Sequence, residues 1–541
     1  MQRSHRYLFF CLALLLLPAL VCAAAPEMVP MTGGVKLATD VHQPEGTGPW
    51  PVILVRSTYG RDAKTAQEYL KRGYAVVIQD TRGFGQSEGE KHVFYADGWR
   101  PDQHDGADTV AWIKAQAWCN GKIGTVGGSA LAITQALMAP STPGLSAQFM
   151  DAVPAEFYGQ VSYQGGVFRK AMMEGWLTAV QQPHMIEYFR GHPTYDEYWN
   201  YYNTVAQAKN VNVPGLFVGG WQDIFAQGTI DGFLSREAAA QAPSKGQNRL
   251  IMKWSTHGPD VSKDYKLNEN RFDLKVSQVR HAFLEAHLKG DTSAAAAFAK
   301  VNYYVMGGDE PGAPGNEWRT AETWPPYATT ATPFYLHADQ TLSGDARGSQ
   351  DAKLAYVFDP ANPVRTHGGA NLLLPAGPFD QRKTLEGRQD ILRFVTEALA
   401  APMEITGRVS VKLAISSDAP DTDFTAKLVD VFPDGREILL LDSVRRVKTR
   451  DSFETVAPLL TGPDQVVEVE IDLWSIAWIF NTGHRIGLHV SSSNHPRFEV
   501  NPNTGADFQA PGGEWRKATN TVHMSALHPS ALVLPVRPAA H

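Results

Sequence analysis

The sequence has few cysteines, and their positions limit how the chain can be stabilised. It contains three in 541 residues, and two of them, Cys11 and Cys22, lie in an N-terminal segment that we predict to be removed. Only Cys119 would remain, so the mature chain can form no internal disulfide and must be stabilised by core packing. Cys119 just precedes a predicted strand and has no histidine beside it in sequence. We interpret it as a packed turn residue, not as a nucleophile.

The sequence also lacks a strong excess of one charge, long runs of like charge and repeats at the spacing of a solenoid. Lys and Arg number 49 against 56 Asp and Glu, which gives a formal net charge of −7. This balance argues against nucleic acid or an anionic membrane surface as a partner. Hydrophobic residues make up 43% of the chain, as is usual for a folded globular protein. The length predicts about three domains.

The N-terminal apolar run is too short to span a bilayer comfortably. It covers residues 8–20, follows two arginines and leads into small residues suited to cleavage. We therefore predict a signal peptide over residues 1–25 and an exported protein, periplasmic or secreted, with no integral membrane span after cleavage. An uncleaved anchor and lipid modification of Cys22 are the alternatives.

Downstream, short apolar runs alternate with segments of helical composition. This pattern predicts buried parallel strands separated by helices, as in an α/β domain. Ligands of such sheets bind at the carboxyl ends of the strands. The predicted strands cover residues 51–55, 74–78, 123–126, 215–220 and 250–254, and the predicted helices cover 63–71, 105–116, 133–138 and 277–289.

A candidate nucleophile, Ser129, lies between one of these strands and a helix. Its neighbours in the string Gly127-Gly128-Ser129-Ala130 are all small, as a sharp strand-to-helix turn requires. Such a turn exposes the hydroxyl above the sheet and places a helix N-terminus next to it, where N–H groups can stabilise an oxyanion. By itself this string is also common loop composition.

A nucleophilic serine needs a base and a carboxylate that orients the base, and two later strand ends supply them. Asp223 follows the run that ends at Gly220, and His257 follows the run that ends at Trp254. The chain order Ser, Asp, His is the one found on an α/β-hydrolase sheet. The alternatives are that Asp223 caps a helix and that His257 is a polar loop residue. We predict that His281 and His287 lie on a helix surface.

Several separate strings resemble the X-Pro dipeptidyl-peptidase and cocaine-esterase group of serine hydrolases, which includes α-amino-acid ester hydrolases and glutaryl-cephalosporin acylases. The resemblance covers nearly the whole mature chain. It implies an α/β hydrolase fold with a helical cap insertion and a C-terminal β jelly-roll domain, with Ser129, Asp223 and His257 as the triad and with no cofactor or metal. The strings that carry it are MTGGVKLATDVHQPEG (31–46), GYAVVIQDTRGFGQSEGE (73–90), DGADTVAWIKAQAWCNGKIG (105–124), GGSALAITQ (127–135), VGGWQDIFAQG (218–228) and SSDAPDTDFTAKLVDVFPDG (416–435).

The same resemblance implies an oxyanion hole that local spacing could not indicate. Arg56-Ser57-Thr58-Tyr59 matches the family's loop, so the Tyr59 hydroxyl and the Ala130 N–H would be the two donors. The sequence departs from the family at Ala130, where a tyrosine is usual, and near His257, where one extra residue separates the tryptophan from the histidine. An ordinary loop aromatic is the alternative for Tyr59.

These observations predict four segments. A catalytic α/β-hydrolase domain covers residues 28–150 and 214–290, and a helical cap rich in aromatics and methionine covers 151–213. A non-catalytic jelly roll covers 333–541, and the signal peptide covers 1–25.

The predicted function is hydrolysis of carboxylic esters or amides of small molecules through an acyl-enzyme. An Xaa-Pro dipeptidyl-peptidase and an α-amino-acid ester hydrolase or acylase are the near alternatives. Both need a site for a free amine, for which Glu174 and Glu187 in the cap are candidates. A catalytically silent binding protein is the remote alternative. The oligomeric state stays open, with a homo-oligomer as one option.

Overall fold

A computed structural model describes residues 25–258, 262–346, 351–506 and 513–538. The predicted signal peptide, apart from its last residue, and Cys22 lie outside the described residues. In the part of the chain that is described, no helix is long and apolar enough to cross a membrane.

The described residues form strands and α-helices that we number in chain order. The strands are β1 (Glu27–Pro30), β2 (Lys36–His42), β3 (Trp50–Ser57), β4 (Ala75–Asp80), β5 (Cys119–Gly128), β6 (Ala147–Asp151), β7 (Tyr163–Gln164), β8 (Val167–Phe168), β9 (Gly215–Gln222), β10 (Arg249–Thr256), β11 (Val301–Gly307), β12 (Glu317–Ala321), β13 (Thr330–Leu336), β14 (Leu342–Ser343), β15 (Lys353–Phe358), β16 (Leu392–Val395), β17 (Met403–Ser417), β18 (Asp423–Val431), β19 (Glu437–Arg446), β20 (Val467–Phe480), β21 (Arg485–Ser491), β22 (Ala518–His523) and β23 (Ala531–Val536). The helices are α1 (Lys64–Leu70), α2 (Asp105–Lys114), α3 (Ala130–Met138), α4 (Lys170–Ala179), α5 (His184–Arg190), α6 (Glu197–Asn200), α7 (Ala226–Ala239), α8 (Val276–Lys289) and α9 (Arg382–Leu385).

The first sheet is the expected α/β-hydrolase sheet. Its strands lie in the order β1, β2, β4, β3, β5, β6, β9, β10, β11, β12, and the pairs from β4 to β11 are parallel. The predicted apolar runs form its buried central strands, because side chains of a parallel sheet are covered by helices on both faces. The carboxyl ends of β5, β9 and β10 therefore meet at one edge.

The sheet continues beyond residue 290, where the prediction ended the hydrolase domain. Strand β11 pairs with β10 in parallel from Val301, and β12 pairs with β11 in antiparallel. The predicted boundary at 290 follows the end of α8 at Lys289. The connection from there to β11 is rich in alanine, so the local sequence does not indicate that another strand of the sheet follows.

One histidine prediction on α8 is wrong. The sequence predicts His281 on the helix surface, but in the structure it is buried and its Nε2 lies 2.5 Å from Glu68 Oε1 on α1. The contact joins two helices that are far apart in sequence, so no local pattern could reveal it. His287 is half-buried, and burial lowers its pKa to about 4.

The segment between β6 and β9 contains α4, α5 and α6, together with a short hairpin of β7 and β8. Its aromatic side chains pack mainly on each other, as in the stack of Phe189 on Trp199 with ring centres 5.9 Å apart. Most of the aromatic excess in this stretch thus forms the segment's own core.

The C-terminal region is a β domain of two sheets. In one, β17 pairs with β20 along its length on one side and with β23 and β22 on the other. The second sheet has the order β16, β21, β18, β19. A short parallel pairing of Met306 and Gly307 with β20 joins this domain to the hydrolase sheet. The predicted fold class, an α/β hydrolase with a C-terminal β domain, is confirmed.

Candidate active site

Ser129 lies at the sharp turn between β5 and α3. Its backbone has φ 55° and ψ −124°, a region that side chains rarely adopt, and its N–H donates to the Asp151 carbonyl at 2.8 Å. At Gly127, φ is +156° and an added Cβ would lie 2.5 Å from Leu131 Cβ. Glycine at position 127 is therefore required by its backbone angle and by the close packing of the strand end against the helix.

The structure brings Ser129, His257 and Asp223 into one chain of hydrogen bonds. Ser129 Oγ lies 2.8 Å from His257 Nε2, and His257 Nδ1 lies 2.9 Å from Asp223 Oδ2. An ionised carboxylate can only accept, so Nδ1 donates and Nε2 is free to accept the serine proton. The Phe225 N–H donates to the other Asp223 oxygen at 2.7 Å, which fixes the carboxylate.

The charge next to His257 favours the protonated imidazole, which is the form that arises when this residue acts as a base. Burial lowers the pKa of His257, but the charge of Asp223 and its hydrogen bond outweigh burial, so the pKa lies above its ordinary value. The His257 and Asp223 side chains are only 8% and 4% exposed, which keeps water from screening their interaction.

The extra residue ahead of His257 is accommodated by a bulge. Along β10 and β9 the register passes from Lys253 opposite Gly220 to Thr256 opposite Gln222, so β10 carries one more residue than its partner. The departure from the family pattern therefore does not carry His257 away from Ser129 and Asp223.

The two predicted oxyanion donors come from the first residue of α3 and from the loop that follows β3. Ala130 is the first residue of α3, so its N–H has no carbonyl partner in a preceding helical turn. Tyr59 lies in the loop after β3, where its N–H donates to Ser57 Oγ at 3.0 Å. The Tyr59 hydroxyl accepts a hydrogen bond from Trp176 Nε1 at 3.0 Å.

An apolar pocket opens next to Ser129. Its cavity volume is about 30 Å³, and about 450 Å³ of space is free of atoms when its mouth is included. None of its lining residues within the described chain is charged. They are Val93, Phe94, Ser129, Ala130, Ile133, Phe157, Val161, Met172, Met173, Trp176, Phe189, Ile224, Phe225 and Leu372.

The cap therefore supplies part of the pocket wall, as expected, but its two candidate amine-binding acids do not line the pocket. Glu174 accepts from Lys170 Nζ at 2.6 Å and from Arg190 Nη2 at 2.7 Å. Glu187 is 74% exposed and pairs with Arg190.

Two residues that contribute to the site, one at the pocket and one next to Asp223, were not identified from the sequence. Leu372 reaches the pocket from the C-terminal domain; the run of three leucines that it begins in a loop was an available signal. Arg169 is 2% exposed, and its Nη1 and Nη2 donate to the Ile224 carbonyl at 3.2 and 3.3 Å, next to Asp223. Burial lowers the pKa of Arg169 to about 9. Nothing in the local sequence marks it as buried.

Other reactive groups lie apart from this site. Cys119 is half-buried at the start of β5, and burial raises the pKa of its thiol, which makes it a poor nucleophile. Among residues 25–258, 262–346, 351–506 and 513–538, no group of three His, Cys, Asp or Glu side chains is placed to hold a metal ion.

A serine–histidine–aspartate chain at the strand ends of an α/β-hydrolase sheet defines a class of serine hydrolases. The model of the X-Pro dipeptidyl-peptidase (S15 family) matches residues 33–185 and 178–259, and that of the X-Pro dipeptidyl-peptidase C-terminal non-catalytic domain matches residues 294–533. The chain belongs to this family of hydrolases.

Individual relatives match nearly the whole of this chain. The cocaine esterase of Rhodococcus sp. (strain MB1 Bresler) is 34% identical, over 95% of this chain and 98% of its own. A solved α-amino acid ester hydrolase is 24% identical with a TM-score of 0.79, covering 95% of this chain and 96% of its own. An aminopeptidase from a marine sediment Thaumarchaeota archaeon is 23% identical with a TM-score of 0.80, over the same shares of the two chains. These two structures share the fold of this chain.

Proposed function

We propose that this chain is an exported serine esterase that works through an acyl-enzyme on Ser129. The hydrogen-bonded chain from Ser129 through His257 to Asp223 carries the proposal, because it connects a nucleophile, a base and an orienting carboxylate in that order. The predicted leader supports export.

In the first half of the reaction, His257 Nε2 takes the Ser129 proton while Oγ forms a bond to the ester carbonyl carbon. The resulting oxyanion accepts hydrogen bonds from the Tyr59 hydroxyl and the Ala130 N–H. The tetrahedral intermediate then collapses, the bond to the alcohol oxygen breaks, and His257 gives its proton to that oxygen. Asp223 stays ionised and stabilises the imidazolium.

In the second half, water takes the place of the alcohol. His257 removes a proton from the water, whose oxygen bonds to the acyl carbon, and the same two donors hold the second oxyanion. Collapse breaks the bond to Ser129 Oγ, which recovers its proton from His257. The acid is released and the enzyme returns to its starting state.

The pocket favours esters with an uncharged, apolar acyl group. Its walls are aromatic and aliphatic, and Met172 and Met173 are flexible enough to make room in a cavity of about 30 Å³. A free α-amine would need a carboxylate, and Glu174 is already neutralised by Lys170 and Arg190. The relation to a cocaine esterase at 34% identity supports ester over peptide substrates.

The test compares matched chromogenic substrates: p-nitrophenyl butyrate, an α-aminoacyl p-nitrophenyl ester and an Xaa-Pro p-nitroanilide. Each is assayed with the wild-type protein and with Ser129→Ala. We expect hydrolysis of the simple ester, and the variant should lose about 10⁴-fold or more in kcat with an unchanged unfolding midpoint. A fluorophosphonate should label the wild type alone.

The other outcomes separate the alternatives. Preference for the Xaa-Pro anilide would assign a peptidase, and preference for the α-aminoacyl ester an α-amino-acid ester hydrolase. Full activity of Ser129→Ala would contradict the mechanism. A folded wild type that neither turns over nor reacts with the fluorophosphonate would favour a binding protein.

A further inference from the structure

Packing does little to hold the Tyr59 hydroxyl in place. The residue lies in a loop and is 57% exposed, which is unusual for a large aromatic side chain. A donor that stabilises an oxyanion must already point at it before the reaction, since reorientation would cost part of the stabilisation. A contact other than burial must therefore orient this side chain.

That contact comes from the cap. Trp176 on α4 donates its indole N–H to the Tyr59 oxygen at 3.0 Å, across 117 residues of sequence. The indole is itself held in place, because it stacks on Phe94 with ring centres 5.7 Å apart and an angle of 6° between the planes. Phe94 is 4% exposed and packs edge-on against Phe157.

The chemistry of the two groups fixes the direction of this hydrogen bond. An indole nitrogen can only donate, whereas a phenol oxygen carries one proton and two lone pairs. Tyr59 is therefore the acceptor, and its own proton remains available for another partner. A hydroxyl that accepts a hydrogen bond also becomes a somewhat stronger donor.

We propose that Trp176 is a positioning residue for the oxyanion hole: it acts through Tyr59, whose proton it leaves free and directs toward the oxyanion. The inference rests on the proposed function, since it requires Tyr59 to stabilise an oxyanion. It gives Trp176 a second role, because the same indole also lines the acyl pocket.

The position of α4 links this role to the whole molecule. The Ala171 N–H donates to the Pro496 carbonyl of the C-terminal domain at 3.0 Å. An added Cβ on Gly175 would lie 2.2 Å from Leu373 Cδ1, so the helix and that domain are in close contact. The C-terminal domain therefore helps to set where the Trp176 N–H points.

The experiment is a double-mutant cycle on the full chain with Trp176→Phe, Tyr59→Phe and the double variant. Phenylalanine keeps an aromatic wall and removes only the N–H function and part of the ring. Trp176→Phe should lower kcat for p-nitrophenyl butyrate about fivefold with KM changed less than twofold. Tyr59→Phe should cost about 10²-fold. The double variant should match Tyr59→Phe within twofold, because the tryptophan acts through the tyrosine.

A boronic acid supplies a readout that does not depend on turnover. Its boron bonds to Ser129 Oγ and forms a tetrahedral anion, so its affinity should fall about fivefold in Trp176→Phe and no further in the double variant than in Tyr59→Phe. Trp112→Phe on α2, which does not line the pocket, is the matched control and should leave kcat and boronate affinity unchanged.

Two results would overturn the inference. In one, Trp176→Phe raises KM alone, as expected if the indole is only a wall of the pocket. In the other, the losses in the double variant multiply, which means that the two residues act separately. Either result can arise while esterase activity still depends on Ser129, so the inference can fail without the proposed function. If Trp176→Phe unfolds at a lower temperature, the boronate comparison at a temperature where both proteins are folded still decides.

Discussion

At the scale of single residues, His257 shows how the surroundings set the chemistry. Burial alone would favour the neutral imidazole, yet the nearby Asp223 carboxylate raises the pKa of His257 above its ordinary value. With a raised pKa, His257 is neutral only above that pKa. Once it has accepted the Ser129 proton, it binds this proton more tightly than an ordinary histidine would.

This predicts the pH dependence of the reaction. Only the neutral imidazole can accept the Ser129 proton, so kcat/KM should fall as the pH drops through the raised pKa of His257. Asp223→Asn removes the charge that raises the pKa, so the acid limb should move to lower pH and kcat should drop about 10³- to 10⁴-fold. The measurement is kcat/KM from pH 4 to 9 for both proteins, and an acid limb that stays in place would contradict it.

The sequence predicted that three of these residues would lie close together, because their signals are local. Ser129, Asp223 and His257 each follow an apolar strand directly, and parallel strands bring their carboxyl ends to one edge. The contact of Trp176 with Tyr59 has no such signal, since it joins a cap helix to a loop 117 residues earlier. Pocket walls built from several segments depend on tertiary packing that periodicity does not encode.

At the scale of elements, the bulge in β10 determines where His257 lies. The extra residue moves Ser255 over Gly220 of the neighbouring strand, and an added Cβ on this glycine would lie 2.2 Å from Ser255 Oγ and 2.4 Å from its carbonyl oxygen. A backbone atom cannot move away as easily as the end of a side chain. The insertion and the glycine are therefore one structural feature.

Gly220→Ala should accordingly displace the strand end that carries His257. We expect a loss of about 2 kcal/mol or more in the free energy of unfolding, with a fall in kcat/KM because the base moves away from Ser129. Urea unfolding and ester turnover measure the two effects. Gly344→Ala is the matched control: an added Cβ there meets nothing within 4 Å, and the change should stay within about 0.5 kcal/mol. Equal behaviour of the two variants would show that the bulge tolerates a side chain.

At the scale of the whole molecule, the hydrolase and C-terminal domains share an interior. Gln222, one residue before Asp223, donates its Nε2 to the Leu440 carbonyl at 2.7 Å. Arg436 donates to both oxygens of Asp309 at 2.9 Å. The sequence predicted the order of the hydrolase domain, its cap and the C-terminal jelly roll, but a boundary at 290 could not show that β11 serves both the hydrolase sheet and the junction with β20.

The Asp309–Arg436 pair joins the two domains, so changing it tests whether the stability of one domain depends on the other. The Asp309 side chain is only 9% exposed. Although burial raises the pKa of Asp309, its hydrogen bonds and charge contact with Arg436 lower it more, so the net shift is downward. A lowered carboxyl pKa means that this stabilisation is present above the ordinary value of 3.8 and is lost as the pH falls through the lowered one.

Asp309→Asn should therefore lower the free energy of unfolding by about 1–2 kcal/mol at pH 7, and the difference from wild type should shrink at acid pH.

Esterase activity and the fluorescence of the C-terminal tryptophans should be lost together in urea, because neither domain keeps its interior without the other. Lys517→Gln removes a charge from an exposed pair with Asp359 at 2.8 Å and should change stability by no more than about 0.5 kcal/mol. If activity disappears well before the fluorescence changes, the two domains unfold separately, and their shared interior does not couple their stabilities.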